Sequence, residues 1–211
     1  MTLISSSGVA PGWTGAVLAG GASSRMGRNK ATLELDSGER LIDSACALLR
    51  DTCDEVLVVG SSLPLPREVR HVQDPVGTPA GPAAGLLGAL EASGRSQVLI
   101  LPVDVPGLVV SILRRIQERS ESVDCRPVVP VGLHGPEPLV SAWPKKLAPR
   151  IRNLIENGTR GVWDLAHALG AMHLPFEELG DAARICAAFR NINTPREWEI
   201  FLRDSTNSES A

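Results

Sequence analysis

The amino-acid sequence predicts an α/β fold, a three-layer α/β sandwich with helices on both faces of a mostly parallel sheet. Three observations carry this reading. Short β-branched runs alternate with segments of helical period through the first 120 residues. Two of those runs, VLVV (56–59) and VLILPV (98–103), are apolar throughout, as strands buried on both faces of a parallel sheet are. Finally, 211 residues that are 43% hydrophobic and 21% charged are enough for one domain with a sizeable core, and too apolar for a disordered chain.

Residues 1–13 and 206–211 are rich in Ser, Gly, Pro and small polar residues and are expected to be poorly ordered tails around a single domain of residues 14–205. Within it, TGAVLA (14–19) reads as a strand, LIDSACALLRDT (41–52) as a helix and EVLVVG (55–60) as a strand. A short HVQD strand (71–74) precedes the helical GPAAGLLGALEAS (81–93), the strand QVLILPV (97–103) and the helical VVSILRRIQERS (109–120). The second half is less regular. PVVPVG and EPLVSAW suit strands that can pair antiparallel, and KKLAPRIRNLIENG and GVWDLAHALG suit helices. In the final helix, TPREWEIFLRD, Thr194 is placed to cap and Pro195 sits in the first turn. No internal repeat is visible.

A formal net charge of −3 gives no global attraction for nucleic acid or an acidic membrane surface, so any affinity for phosphate must be local. No apolar run approaches the roughly 20 residues of a membrane span. Cys46, Cys53, Cys125 and Cys186 form no CxxC pair and no secretory signal is apparent, so reduced thiols in the cytoplasm are expected. Cys46 and Cys53, seven apart, are expected to share the apolar face of one helix. None of His71, His134, His167 and His173 has metal-ligand spacing, and all read as structural or surface residues.

Chemistry concentrates where the first strand ends. LAGGASSRMGRNKA (18–31) joins glycines, which let backbone N–H groups close on oxygens, to Arg25 and Lys30, which can neutralise a triphosphate. It is neither a Walker loop nor GxGxxG. A turn with a solvated basic loop is the bland alternative; Ser24 either caps or touches phosphate, and Met26 is expected to pack beneath the loop. Asp104 follows an apolar strand and precedes Val-Pro-Gly; it serves either as an oxygen ligand for Mg²⁺ or as a turn starter. Asp74, before Pro75, poses the same choice. GTPAGPAAG (77–85) can lay a flat base against backbone or can simply introduce a helix. In FRNINTP (189–195), alternation sends Asn191 and Asn193 the same way, into a cleft or onto their own backbone. Ligands of open α/β sheets bind at the carboxyl ends of the strands, so 18–30, Asp74 and Asp104 are expected at one rim.

In their order along the chain, LAGGASSRMGRNKA, HVQD, GPAAG, LPVDVP, EPLVSAW, ENGTRGVWDL and FRNINTPREW resemble the molybdenum cofactor guanylyltransferases of MobA type, over about residues 14–202. The resemblance implies a Rossmann-like nucleotidyltransferase fold. It also implies transfer of GMP from GTP to molybdenum-carrying molybdopterin, with pyrophosphate released and Mg²⁺ as cofactor. Carried over by position, Leu18, Ala19, Gly20, Gly21 and Gly81 would hold the nucleotide, Arg25 and Lys30 the phosphates, Asp74 the nucleoside and Asp104 the metal. Arg25, Lys30 and Asp104 would be the catalytic set, and Asn191 and Asn193 would lie toward the pterin. LAGG, where cytidylyltransferase relatives have LAAG, favours guanine. Transient contacts with other molybdenum cofactor biosynthesis proteins or apo-enzymes are expected, and none with nucleic acid or membrane.

Two departures stand out. The Asn that often follows the second strand is replaced by Gly60-Ser61-Ser62, and GPLAG by GPAAG with Ala83. Competing readings are a molybdopterin cytidylyltransferase, a sugar-phosphate nucleotidyltransferase, and a nucleotide-binding carrier of the cofactor without turnover.

Overall fold

The computed structural model describes residues 10–20, 29–75 and 81–208. β1 (Ala10–Leu18) pairs in parallel with β2 (Glu55–Val59) on one side and β4 (Arg95–Pro102) on the other, and β3 (Val69–Val72) extends the sheet beyond β2. The second half adds β5 (Val128–Gly132), β6 (Gly135–Pro136), β7 (Ser141–Pro144) and β8 (Met172–Pro175). β7 runs antiparallel to both β4 and β5, so β5 keeps the direction of the first-half strands and β7 is wedged against it between β4 and β5. The order is β3-β2-β1-β4-β7-β5-β6, with β8 parallel to β5.

Side-chain alternation along the central strands divides the interior in two. Val17, Val56, Val58, Leu99 and Leu101 face α1 (Leu41–Arg50) and α3 (Val110–Glu121), meeting Ile42, Cys46, Leu49, Ile112 and Ile116. Ala16, Leu57, Val59, Val98 and Ile100 face the other layer, α2 (Pro82–Ala92), α4 (Ala148–Glu156) and α5 (Val162–Ala168). Helices cover both faces, which makes the expected three-layer sandwich and explains why these strands carry no polar alternation.

Several boundaries differ from the sequence reading. β1 begins at Ala10 rather than Thr14, and Trp13 is buried, its indole N–H donating to Glu121 at 3.1 Å. Cys53 lies past the end of α1 and not on its face, where Gln117 Nε2 approaches its sulfur at 3.8 Å. β8, α6 (Phe176–Leu179) and α7 (Ala182–Ala188) are not in the sequence reading; each is only four to seven residues long, and MHLP, FEEL and AARICAA carry no clear period. The last helix, α8 (Pro195–Ser208), continues three residues past the expected domain end.

Candidate active site

Leu18 pairs with Val59 and with Pro102, and Val59 with Val72, so β1, β2, β3 and β4 end level with one another. Gly20, Asp74 and Asp104 therefore emerge at one rim, each two residues past the last paired position. The chain leaves β1 for β2 on one side and later crosses from β3 to β4 on the other side of β1, so the strand order reverses at β1, the switch point at which sheets of this kind take ligands.

On the β2 side, the rim is walled by backbone. Gly60, at φ +76°, brings its Cα so close to Gly20 that a Cβ on it would lie 2.9 Å from the Gly20 Cα. The approach is held by Ala19 N–H donating to the Val59 carbonyl (3.0 Å) and Gly60 N–H to that of Val72 (3.1 Å). Asp74 Oδ1 lies 3.9 Å from where a Gly60 Cβ would be and 4.0 Å from the same position on Gly85, so this carboxylate looks onto a glycine surface. Gly81, at φ +145°, caps α2 at its N-terminus, and Pro82 opens the helix. Ala83 is buried against the sheet-side core, so the change from a bulkier residue falls on packing beneath the rim.

On the β4 side lie the charges. Lys30 begins a single 3-10 turn, Lys30–Thr32, capped by Asn29 Oδ1 accepting from Ala31 N–H at 3.0 Å. Its Nζ donates to Asp104 Oδ2 and to Asn193 Oδ1, both at 2.8 Å. With side chains 16% and 20% exposed, Lys30 and Asp104 are shielded by protein yet open on one side. The turn is held by a small separate core in which Leu33 and Leu41 pack with Ile192 and Trp198. Ile192 N–H donates to the Asp104 carbonyl at 2.8 Å. A cleft of about 170 Å³ opens here, lined by Leu18, Ala19, Gly20, Lys30, Pro82 and Asp104 among others. A larger cavity of about 590 Å³, lined from α3, α6, α7 and α8, shares none of these residues, so size alone would point away from the charged groups.

Two acidic residues join the set that sequence reasoning had passed over. Glu137 is half-buried, and burial together with the charge of Asp104 pushes its pKa above the usual carboxylate value. Glu197 caps α8. Its signal was present in the sequence, since T-P-R-E (194–197) is the S/T-x-x-E capping box. Nothing in the spacing pointed to Glu137, which only the β5–β6 hairpin turns toward Asp104.

Leu18, Ala19, Gly20, Lys30 and Asp104 thus share the cleft, Asp74 and Gly81 lie along its rim, and Asn193 joins Lys30. Asn191 is exposed, whereas Asn193 is partly buried against Lys30. Gly21 and Arg25, with Ser24 and Met26, lie outside the described residues, as do residues 77–80. Among the described residues no group of three His, Cys, Asp or Glu side chains can hold a metal by itself, and no helix is long and apolar enough to cross a membrane.

Known proteins resemble the chain along most of its length. A probable molybdenum cofactor guanylyltransferase from Synechococcus elongatus is 30% identical over 192 residues, covering 87% of this chain and 94% of the relative. The crystal structure of molybdopterin-guanine dinucleotide biosynthesis protein A from Archaeoglobus fulgidus has a TM-score of 0.78 at 22% identity, covering 92% of this chain and 99% of that one. At 18% identity, 2-C-methyl-D-erythritol 4-phosphate cytidylyltransferase from Thermus thermophilus reaches a TM-score of 0.66 over 90% of this chain and 98% of that one. The sequence profile described as MobA-like NTP transferase domain matches residues 15–172. The chain belongs to the MobA-like NTP transferase family and is a nucleotidyltransferase.

Proposed function

We propose that this protein transfers GMP from GTP to the terminal phosphate of molybdopterin carrying molybdenum, yielding molybdopterin guanine dinucleotide and pyrophosphate. The observation that carries the proposal is the Lys30 ammonium held 2.8 Å from Asp104 at the exit of β4, beside a rim walled by Gly20 and Gly60. The name of the Synechococcus relative, at 30% identity, supports the choice of base and acceptor.

In this reading the base and ribose lie against Gly20, Gly60 and Gly81, with Asp74 facing the nucleoside, and the triphosphate turns toward Lys30 and Arg25. A terminal phosphate oxygen of molybdopterin attacks the α-phosphorus of GTP. The bond from that phosphorus to the bridging oxygen breaks, and pyrophosphate departs with the electron pair. A phosphate is already a competent nucleophile, so the chain's task is to hold the reactants in line and to offset charge on the leaving group. Lys30 does the second directly. Mg²⁺, when bound, would be held by Asp104 and would add to that neutralisation. A site that offers fewer than three protein ligands among the described residues fits an ion that takes most of its ligands from phosphate and water. Asn191 remains a proposed contact on the pterin side. The reaction would run in the cytoplasm, with the product passed to biosynthesis proteins or apo-enzymes through transient contacts.

The test is pyrophosphate release by purified protein with Mg²⁺ and molybdenum-loaded molybdopterin, comparing GTP with CTP at equal concentration. Release with GTP and little with CTP supports the proposal. The reverse result would move the base assignment to cytosine. Nucleotide binding without release from either would favour a sugar-phosphate acceptor or the carrier. Lys30→Ala and Asp104→Asn are each expected to lower turnover roughly 10²-fold. Full turnover by Lys30→Ala would remove Lys30 from the reaction, and unchanged Mg²⁺ dependence in Asp104→Asn would remove Asp104 from the metal.

A further inference from the structure

Glu197 belongs to α8, away from the cleft, yet a short chain of bonds leads from it to the reactive cation. Its Oε2 accepts from Asn193 N–H at 2.7 Å and Thr194 N–H at 2.9 Å, while its own N–H donates to Thr194 Oγ1 at 3.2 Å. This is a reciprocal capping box, and the two halves do different things. The Thr194 half secures only the helix. The Glu197 half also grips the backbone of Asn193, whose Oδ1 accepts from Lys30 Nζ at 2.8 Å.

Asn193 is thereby clamped from both sides. One residue earlier, Ile192 N–H donates to the Asp104 carbonyl at 2.8 Å, and the Ile192 side chain is fully buried with Leu33, Leu41 and Trp198. One anchor thus fixes the segment to Asp104 and the other fixes it to α8, leaving the Asn193 amide little freedom except to face Lys30. That constraint matters because a lysine is a point charge on a four-carbon stem with several rotatable bonds. A single salt bridge fixes its distance to one oxygen but not its direction. The second acceptor, set at a defined place, fixes both.

We infer that Glu197 is a positioning residue for Lys30, acting through the backbone of Asn193 to hold the ammonium beside Asp104 in one direction. Two N–H donors on its carboxylate, that of Asn193 foremost, together with the positive charge of Lys30, keep Glu197 below its ordinary pKa, in keeping with a carboxylate that grips backbone N–H groups. The inference rests on the nucleotidyl-transfer reading only for its effect on turnover; the geometry of Lys30 can be read without it.

The experiment uses the full chain with Glu197→Ala, Glu197→Gln, Thr194→Ala, Asn193→Ala and the Glu197→Ala/Asn193→Ala double variant. The first readout is the acylation rate of the Lys30 amine, followed by peptide mass mapping. The second is steady-state pyrophosphate release, and thermal unfolding reports helix stability in parallel. Glu197→Ala is expected to speed Lys30 acylation roughly fivefold, the factor a single net hydrogen bond supplies. It should also lower kcat roughly tenfold or more with little change in KM for GTP. Glu197→Gln keeps an acceptor oxygen and restores both. Thr194→Ala loses stability to a similar degree but leaves Lys30 reactivity and kcat near those of the parent. The double variant is no worse than Asn193→Ala alone, because both changes cut the same link. Equal effects of Thr194→Ala and Glu197→Ala, or additive effects in the double variant, would overturn the inference. Should the parent release no pyrophosphate from GTP, the functional proposal fails, and the acylation rates decide the positioning role by themselves.

Discussion

Gly60→Ala tests whether the rim depends on the contact between the ends of β1 and β2. Two penalties combine at this position. An L-residue at φ +76° is strained by roughly 1–2 kcal/mol. The new Cβ would also lie 2.9 Å from the Gly20 Cα and 3.1 Å from its N, both backbone atoms that no rotamer change can move aside. Carbon atoms settle at about 3.5–4.0 Å, so the two strand ends must part by roughly 0.6 Å, and overpacking of this kind costs about 1–3 kcal/mol. Together the loss is about 2–5 kcal/mol, which for a domain of this size lowers Tm by on the order of 10 °C. Gly38→Ala supplies the control. Its φ of +79° is nearly the same, but nothing lies within 4 Å of the added carbon, so only the backbone strain remains. Thermal unfolding of both variants, with GTP titration by calorimetry, separates the effects. Gly60→Ala should be the less stable and should bind nucleotide more weakly even where it is folded, whereas Gly38→Ala should bind as the parent does. Equal Tm values for the two variants, or full GTP affinity in Gly60→Ala, would refute the close-approach argument.

Three further outcomes follow from other parts of the molecule. Burial raises the Glu55 pKa, but the Arg70 guanidinium, Gly94 N–H and Thr14 hydroxyl together outweigh it and hold the carboxyl below its ordinary 4.5. Its stabilisation is therefore present above that value and lost as pH falls through the lowered folded-state pKa, so the Tm advantage of the parent over Glu55→Gln should shrink on acidification below about pH 4.5. Cys46 is fully buried, and burial first, then the charge of Asp43, pushes its thiol up to about 11, whereas Cys186 is exposed. Alkylation of the native protein at pH 8 should modify Cys186 well before Cys46, and the reverse order by mass mapping would contradict the burial. Leu87→Ala, in a fully buried position under the sheet, should destabilise by about 2–5 kcal/mol in urea unfolding; a loss under 1 kcal/mol would mean that this layer collapses freely around the gap.

Much of the site was legible because each piece follows a strand. VLILPV reads as a buried strand, so Asp104 just past its end had to surface at the rim, and the same holds for Gly20 after TGAVLA and for Asp74 at the end of HVQD. Asn191 and Asn193 were harder to read. Period-two alternation treats both as part of one extended run, but the capping box at Thr194 and Glu197 bends the segment into α8, where Asn193 reaches Lys30 and Asn191 is exposed. Glu137 lay beyond reach for a different reason. It sits in a turn following a two-residue strand, and such a pairing has no periodicity of its own.

The sequence by itself determined the layered α/β architecture, the order of the strands' chemistry and the family, because burial on both sheet faces and short glycine-rich connections are local demands that each stretch meets alone. Only the tertiary structure decided which groups share a charge. Lys30, Asp104 and Asn193 are separated by 74 and 163 residues counted from Lys30, and they meet because Leu33, Leu41, Ile192 and Trp198 bury one another. The same holds for the contact of Gly20 with Gly60, which exists because parallel pairing brings two strand ends level. Hydrogen bonds and packing between distant segments have no period in the chain, and so they become visible only once the sheet has set the register.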